Sequence, residues 1–122
     1  MKVSVVVPTT LRDTLPAALT SVRAQQTRAE IETIVVIDHP DGGELDPDSA
    51  AVADKVIWTG GAGSSAARNA GIQAADGDLI AFLDDDDEWL PGKIENQLAY
   101  VDDVAEVILT CRVRQGQRTG SS

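Results

Sequence analysis

The chain has 122 residues, of which 43% are hydrophobic, and its 20 acidic residues outnumber the 10 basic ones, for a formal net charge of -10 at pH 7. This length predicts one compact domain, and the acidity argues against nucleic acid or an anionic membrane as the main partner, because both would be repelled. A single cysteine, Cys111, excludes an internal disulfide framework, and without an apolar run of membrane length we expect a soluble, cytoplasmic protein.

Short runs rich in Val, Ile and Leu alternate with helical patterns, which is typical of a three-layer α/β/α fold with a mostly parallel sheet. The predicted strands cover residues 3–7, 31–37, 55–59, 78–83 and about 104–113. The predicted helices cover residues 14–26, 50–54, 64–75 and 90–102.

Local signals set the expected ends of these elements. The segment Pro8-Thr9-Thr10 is expected to break the first strand. Asp48 or Ser49 is expected to cap the second helix, and Ser64 or Ser65 the third. The predicted domain covers residues 1–114, and residues 115–122 are expected to form a disordered tail.

Three loops of this fold are expected to meet, because ligands of parallel α/β sheets bind in the crevice beyond the carboxyl ends of the strands. The loop after the first strand offers backbone amides, hydroxyls and one cation from Pro8, Thr9, Thr10, Leu11 and Arg12. The loop after the second strand offers the Asp38 carboxylate, and the loop after the fourth offers residues 84–87, all aspartates. Together these groups suit a nucleotide diphosphate with a bound cation.

The four aspartates are the strongest single signal in the chain. On extended backbone, alternate residues point the same way, so Asp84 and Asp86 are expected to hold one Mg²⁺ or Mn²⁺ ion, which prefers oxygen ligands. A solvated acidic turn before the next helix is the simpler interpretation of an acidic run alone. The strand before the run and the Trp-Leu-Pro after it favour the metal site, and the offsets of Glu and Gly do not fit an EF-hand loop.

The glycine-rich segment over residues 60–71 is a weaker signal. It lacks the Lys-Ser/Thr ending of a P-loop and the glycine spacing of a dinucleotide fingerprint. Arg68 is more informative, because it is one of few cations and lies in the first turns of a predicted helix. Its guanidinium can contact a diphosphate or hold an aspartate in place, and the residue types leave both interpretations open.

Four segments, in the same order, resemble family 2 of the inverting glycosyltransferases: VSVVVPT (3–9), IVVID (34–38), SAARNAGI (65–72) and GDLIAFLDDDDEWLP (77–91). The resemblance spans residues 2–110 and implies the Rossmann-like GT-A fold, a nucleotide-sugar donor, commonly a UDP-sugar, and a metal bound by an Asp-any-Asp motif. By position, Asp84-Asp85-Asp86 matches this motif, with Asp86 as the expected direct ligand. The resemblance also implies that a uridine pocket is lined by Pro8, Thr9 and Asp38, and that Arg68 lies by the nucleotide.

The sequence departs from the family pattern in two respects. His39 replaces a carboxylate that many relatives carry, and we interpret it as incidental because imidazole is not a favoured Mg²⁺ ligand. Relatives also continue for roughly 100 further residues, the order of an ordinary α/β domain, and that half carries the acceptor site and the general base. No catalytic residue is therefore assigned, and the sugar, lipid or protein acceptor is not identified.

We accordingly predict the donor-binding domain of a glycosyltransferase, either a truncated fragment or a short form that depends on another chain. The apolar surface that a missing half would leave exposed favours a homodimer. One alternative is a non-catalytic nucleotide-binding or assembly module that has lost transfer. Another is an unrelated α/β phosphate-binding or regulatory domain with an acidic metal pocket.

Overall fold

Five strands and four helices occur in the part of the chain that the computed structural model describes, residues 1–101 and 108–110. The strands are β1 (Lys2–Thr9), β2 (Glu30–Ile37), β3 (Lys55–Trp58), β4 (Leu79–Phe82) and β5 (Ile108–Thr110). The helices are α1 (Leu15–Arg23), α2 (Pro47–Val52), α3 (Ser64–Ala74) and α4 (Lys93–Val101). The sheet order is β3-β2-β1-β4-β5, and every pairing is parallel. The predicted parallel α/β fold is confirmed.

The central strand β1 is buried on both faces, because helices cover both sides of the sheet. Side chains alternate along a strand, so Val5 and Val7 face one layer and Val6 faces the other. The first layer contains α1 and α4, which contribute Leu15, Ala18, Leu19, Val22, Ile94 and Leu98 to its core. The second layer contains α3, whose Ala67 packs with Val6. The arrangement is the predicted three-layer α/β/α fold.

Strand β1 continues through Pro8 and Thr9, so the prediction that Pro8 breaks it was wrong. In a parallel sheet, the backbone N–H and C=O groups of successive residues in a strand point to opposite neighbouring strands. The Val6 carbonyl accepts a hydrogen bond from Leu83 beside β4, whereas the Thr9 carbonyl accepts one from Asp38 beyond β2. Pro8 therefore faces the β4 side, where pairing ends at Val6 and Phe82, and its missing N–H breaks no ladder bond.

Three helices differ from the prediction in their start or their cap. Helix α2 is capped by Asp46, whose carboxylate accepts hydrogen bonds from the Ser49 N–H at 3.1 Å and the Ser49 hydroxyl at 2.6 Å. Helix α3 has Gly63 at its N-cap and no side-chain cap, so neither Ser64 nor Ser65 has the expected role. Helix α4 begins at Lys93 instead of residue 90, because a turn at Pro91 and Gly92 precedes it.

The amino edge of the sheet carries a compact charge network around Glu32, which is 5% exposed. The Glu32 carboxylate accepts hydrogen bonds from the Ser4 hydroxyl at 2.8 Å and the Asp76 N–H at 3.0 Å. Its other oxygen lies 3.2 Å from the Lys55 ammonium and 3.6 Å from that of Lys2. Burial opposes ionisation of Glu32, but these hydrogen bonds and the Lys55 charge outweigh it and lower its pKa to about 2.

Several sequence-based expectations lie outside the described residues. The predicted fifth strand is described only over Ile108–Thr110, and Cys111, the domain boundary at residue 114 and the tail at 115–122 are not covered. Among the described helices, none combines the length and the apolar character that crossing a membrane requires.

Candidate functional site

A cleft of about 310 Å³ opens at the carboxyl edge of the sheet, where the strand order reverses between β1 and β4. In doubly wound sheets such a reversal is where ligands bind. The residues that line it are Pro8, Thr9, Thr10, Arg12, Asp38, Ser64, Ala67, Arg68, Asp84, Asp85 and Asp86. The structure thus brings together every residue that the sequence assigned to the nucleotide or the metal, and adds Ser64 and Ala67 from the start of α3.

The four aspartates form a turn rather than an extended segment, and this acidic turn (residues 84–87) is closed by a hydrogen bond from the Asp87 N–H to the Asp84 carbonyl at 3.1 Å. The expected extended backbone was therefore wrong, and so was the placement of Asp87 on the opposite side from Asp84 and Asp86. Oxygens of Asp84, Asp86 and Asp87 lie within 4.8 Å of one another. Three carboxylates at this spacing fit a hard divalent cation. The sequence argument missed Asp87, although the preference of aspartate for turns was a signal for this geometry.

Asp85, expected to contact the nucleotide, lines the cleft but is only 7% exposed. Its Oδ2 accepts a hydrogen bond from the Thr9 hydroxyl at 2.7 Å, and its Oδ1 lies 3.4 Å from Arg12 Nε. The Thr9 hydroxyl in turn accepts a hydrogen bond from the Leu11 N–H at 2.9 Å. Asp85 thus joins the acidic turn to the loop that follows β1.

Leu11 has a φ of 67°, which is a strained conformation for a residue with a branched side chain. Its bond to Thr9 stabilises this backbone, and its side chain packs against Gly43, where an added Cβ would lie 2.5 Å from Leu11 Cδ1. The loop therefore has a fixed shape, and it directs the next residue, Arg12, towards the acidic turn.

Two arginines neutralise part of the acidic turn. Arg12 Nη2 lies 2.8 Å from Asp86 Oδ2, and this hydrogen bond, together with the charges of the neighbouring aspartates, raises the pKa of Arg12. Arg68 Nη2 lies 3.5 Å from Asp84 Oδ1, across the cleft wall formed by α3. For Arg68, the structure shows both the ion pair and the cleft position that the sequence left open.

Asp38 anchors the glycine-rich loop to the end of β2. Its Oδ1 accepts hydrogen bonds from the Thr59 hydroxyl at 2.7 Å and the Ala62 N–H at 2.8 Å, and its Oδ2 accepts one from the Gly63 N–H at 3.0 Å. The Thr59 bond is the largest cause of the lowered pKa of Asp38, and burial of the carboxyl opposes it. Sequence reasoning missed Thr59, because its partner lies 21 residues away along the chain.

His39 stabilises the turn that follows β2. Its Nδ1 accepts a hydrogen bond from the Asp41 N–H at 3.1 Å, and its carbonyl accepts one from Gly42. This contact gives His39 a local structural role in the turn.

Comparison with known proteins gives consistent matches. The family model described as Glycosyl transferase family 2 matches residues 4–122. An uncharacterized glycosyltransferase of Nostoc sp. is 36% identical over 101 residues, which are 78% of this chain and 31% of that protein. The UDP-Glc:alpha-D-GlcNAc-diphosphoundecaprenol beta-1,3-glucosyltransferase WfaP of Escherichia coli is 34% identical over 96 residues, 75% of this chain and 37% of that protein.

Among solved structures, S. aureus TarS 1-349 superposes with a TM-score of 0.68 at 25% identity, over 84% of this chain and 33% of that one. This similarity supports the GT-A fold. The chain spans about a third of the length of the relatives it matches.

Proposed function

We propose, because this chain belongs to glycosyl transferase family 2, that its cleft binds the nucleoside diphosphate of a sugar donor together with a divalent cation. The observation that carries the proposal is the convergence of two arginines with Asp84 and Asp86, two of the three clustered carboxylates, on one cleft at the strand-order reversal. A diphosphate needs cations around its oxygens, and a divalent cation needs oxygen ligands. The cleft offers both kinds of group within one small volume.

Groups of the cleft and of the adjoining acidic turn have distinct roles in this proposal. Asp84, Asp86 and Asp87 would hold Mg²⁺ or Mn²⁺, which would compensate the charge developing on the departing diphosphate. Arg68, on the first turns of α3, contacts diphosphate oxygens at the end of a helix that favours anions. Pro8, Thr9 and Asp38 form the wall next to the nucleoside.

The donor is proposed to be a UDP-sugar, as the printed name of the E. coli relative states for that protein. The reaction proposed for the whole enzyme is transfer with inversion, in which an acceptor hydroxyl displaces the diphosphate from the anomeric carbon. That step needs a base to take the hydroxyl proton. The cleft residues assigned above act on the donor, so the base and the acceptor contacts are not assigned to any of them.

Isothermal titration of UDP, with and without Mn²⁺, tests the proposal on the 122-residue chain. We expect Mn²⁺-dependent binding that Asp86→Asn weakens by roughly tenfold or more, because a charged ligand is lost. Asp48→Asn is a matched control, since Asp48 is an exposed carboxylate on α2 outside the cleft lining.

Failure of the folded wild type to bind UDP under either condition would refute the proposal. UDP binding that does not depend on Mn²⁺ and is unchanged in Asp86→Asn would exclude the metal from the proposal. Transfer of labelled sugar from UDP-sugar by the chain would then exclude the non-catalytic alternative.

A further inference from the structure

Arg12 pairs with a carboxylate of the acidic turn that is also a candidate cation ligand. Its Nη2 lies 2.8 Å from Asp86 Oδ2, and its Nε lies 3.4 Å from Asp85 Oδ1. Asp86 is also one of the three carboxylates that fit a divalent cation. The Asp86 carboxylate therefore has two possible cationic partners, a divalent cation and Arg12.

A divalent cation and Arg12 cannot both contact the turn without repulsion. A unit charge about 4 Å from a divalent ion opposes its binding by a factor of roughly ten even when water and physiological salt screen the two charges. A diphosphate reverses this balance, because its oxygens offer Arg12 a new anionic partner in the same cleft. Arg12 lines that cleft together with Arg68.

We propose that Arg12 is an internal counter-ion of the acidic turn, which opposes metal binding in the nucleotide-free cleft and transfers to the diphosphate when a donor binds. The inference rests on the proposed function, because it takes the metal and the diphosphate as the ligands. Its consequence is that the two ligands bind cooperatively, since the diphosphate removes the group that competes with the metal.

The surroundings of Arg12 permit this transfer. Its side chain is 49% exposed, so the guanidinium is held by charge and not by packing. Arg12 also lines a second cavity, of about 370 Å³, which is bordered by Asp13, Glu44 and Asp46. The backbone of the preceding residue, Leu11, is fixed by its bond to Thr9, so the side chain and not the loop is the part that moves.

Mn²⁺ binding followed by electron paramagnetic resonance, with and without saturating UDP, tests the inference without measuring activity. In Arg12→Gln, we expect Mn²⁺ affinity without UDP to rise about tenfold, and the enhancement of Mn²⁺ binding by UDP to fall by the same factor. Arg12→Lys keeps the charge and should remain close to the wild type in both measurements.

Arg28→Gln is the matched control. Arg28 also pairs with a carboxylate, Glu95 at 3.1 Å, but its side chain is 89% exposed and lies away from the cleft lining. Arg28→Gln changes the net charge by the same amount as Arg12→Gln. We expect the Mn²⁺ affinity of Arg28→Gln to stay within about twofold of wild type, because long-range charge effects are screened.

The outcomes separate the inference from the proposed function. Mn²⁺ and UDP binding in the wild type, with an unchanged Mn²⁺ affinity and unchanged enhancement in Arg12→Gln, overturns the inference and leaves the proposed function intact. If neither wild type nor Arg12→Gln binds Mn²⁺ with or without UDP, the metal part of the proposed function and the inference both fail. An equal rise in Arg28→Gln also overturns the inference, because net charge alone would then explain the effect.

Discussion

Replacing Glu32 by Gln is expected to remove a large part of the acid sensitivity of the fold. The pKa of Glu32 is lowered from its ordinary value of 4.5 to about 2, so the folded state favours the charged carboxylate. A group with a lowered folded-state pKa stabilises the protein above its unfolded pKa, and the stabilisation is lost as the pH falls towards the folded value. From these two values, Glu32 contributes roughly 3 kcal/mol at pH 7 and roughly 1 kcal/mol at pH 3.

Urea denaturation of wild type and Glu32→Gln at pH 7, 5, 4 and 3 measures this contribution, with the fluorescence of buried Trp89 as the signal. The difference in free energy of unfolding between the two proteins should shrink by roughly 2 kcal/mol between pH 7 and pH 3. Glu30→Gln is the control on the same strand, because Glu30 is 74% exposed and lies 3.8 Å from Lys2; its pH dependence should match the wild type. A wild-type to Glu32→Gln difference that stays constant over this pH range would refute the reasoning.

Two further substitutions test the contacts that shape the cleft. Thr9→Val should lower the free energy of unfolding by about 2 kcal/mol in a urea titration, because it removes the hydroxyl that donates to the buried Asp85 carboxylate. Thr20→Val is the control. It removes an exposed hydrogen bond within α1 and should change the free energy of unfolding by less than about 0.5 kcal/mol. Gly71→Ala should lower the melting temperature and cost about 1 to 3 kcal/mol, because the new methyl group would overlap with Val6 on β1. Gly92→Ala, with 3.7 Å to the Asn96 amide as the shortest new contact, should leave the melting temperature nearly unchanged, and equal effects of the two alanines would contradict the packing argument.

The strands and their parallel arrangement could be predicted because buried parallel strands are continuous runs of Val and Ile, as in β1 and β2. The position of the cleft followed from the same argument, since loops at the carboxyl edge of a parallel sheet converge. These predictions depend on local composition and on general rules of topology.

The sequence predictions that failed depend on contacts between distant residues or on the backbone conformation of a short segment. No local signal shows that Asp38 holds the loop before α3, because the bond joins residues 25 positions apart. The sequence predicts an extended backbone for the acidic run, whereas the backbone turns and brings Asp87 towards Asp84. The prediction that Pro8 breaks β1 failed because the sequence does not show that its missing N–H faces the side where pairing with β4 has ended.

The bond between Thr9 and Asp85 spans 76 residues, and this separation bears on how the protein is made. As the chain leaves the ribosome, β1, β2 and β3 can pair before β4 has been synthesised, because their pairing needs only residues up to Trp58. The edge of β1 that later faces β4 stays open during that interval, and open strand edges promote association between chains. The acidic turn emerges directly after β4, so the cleft is completed only when that edge can be closed.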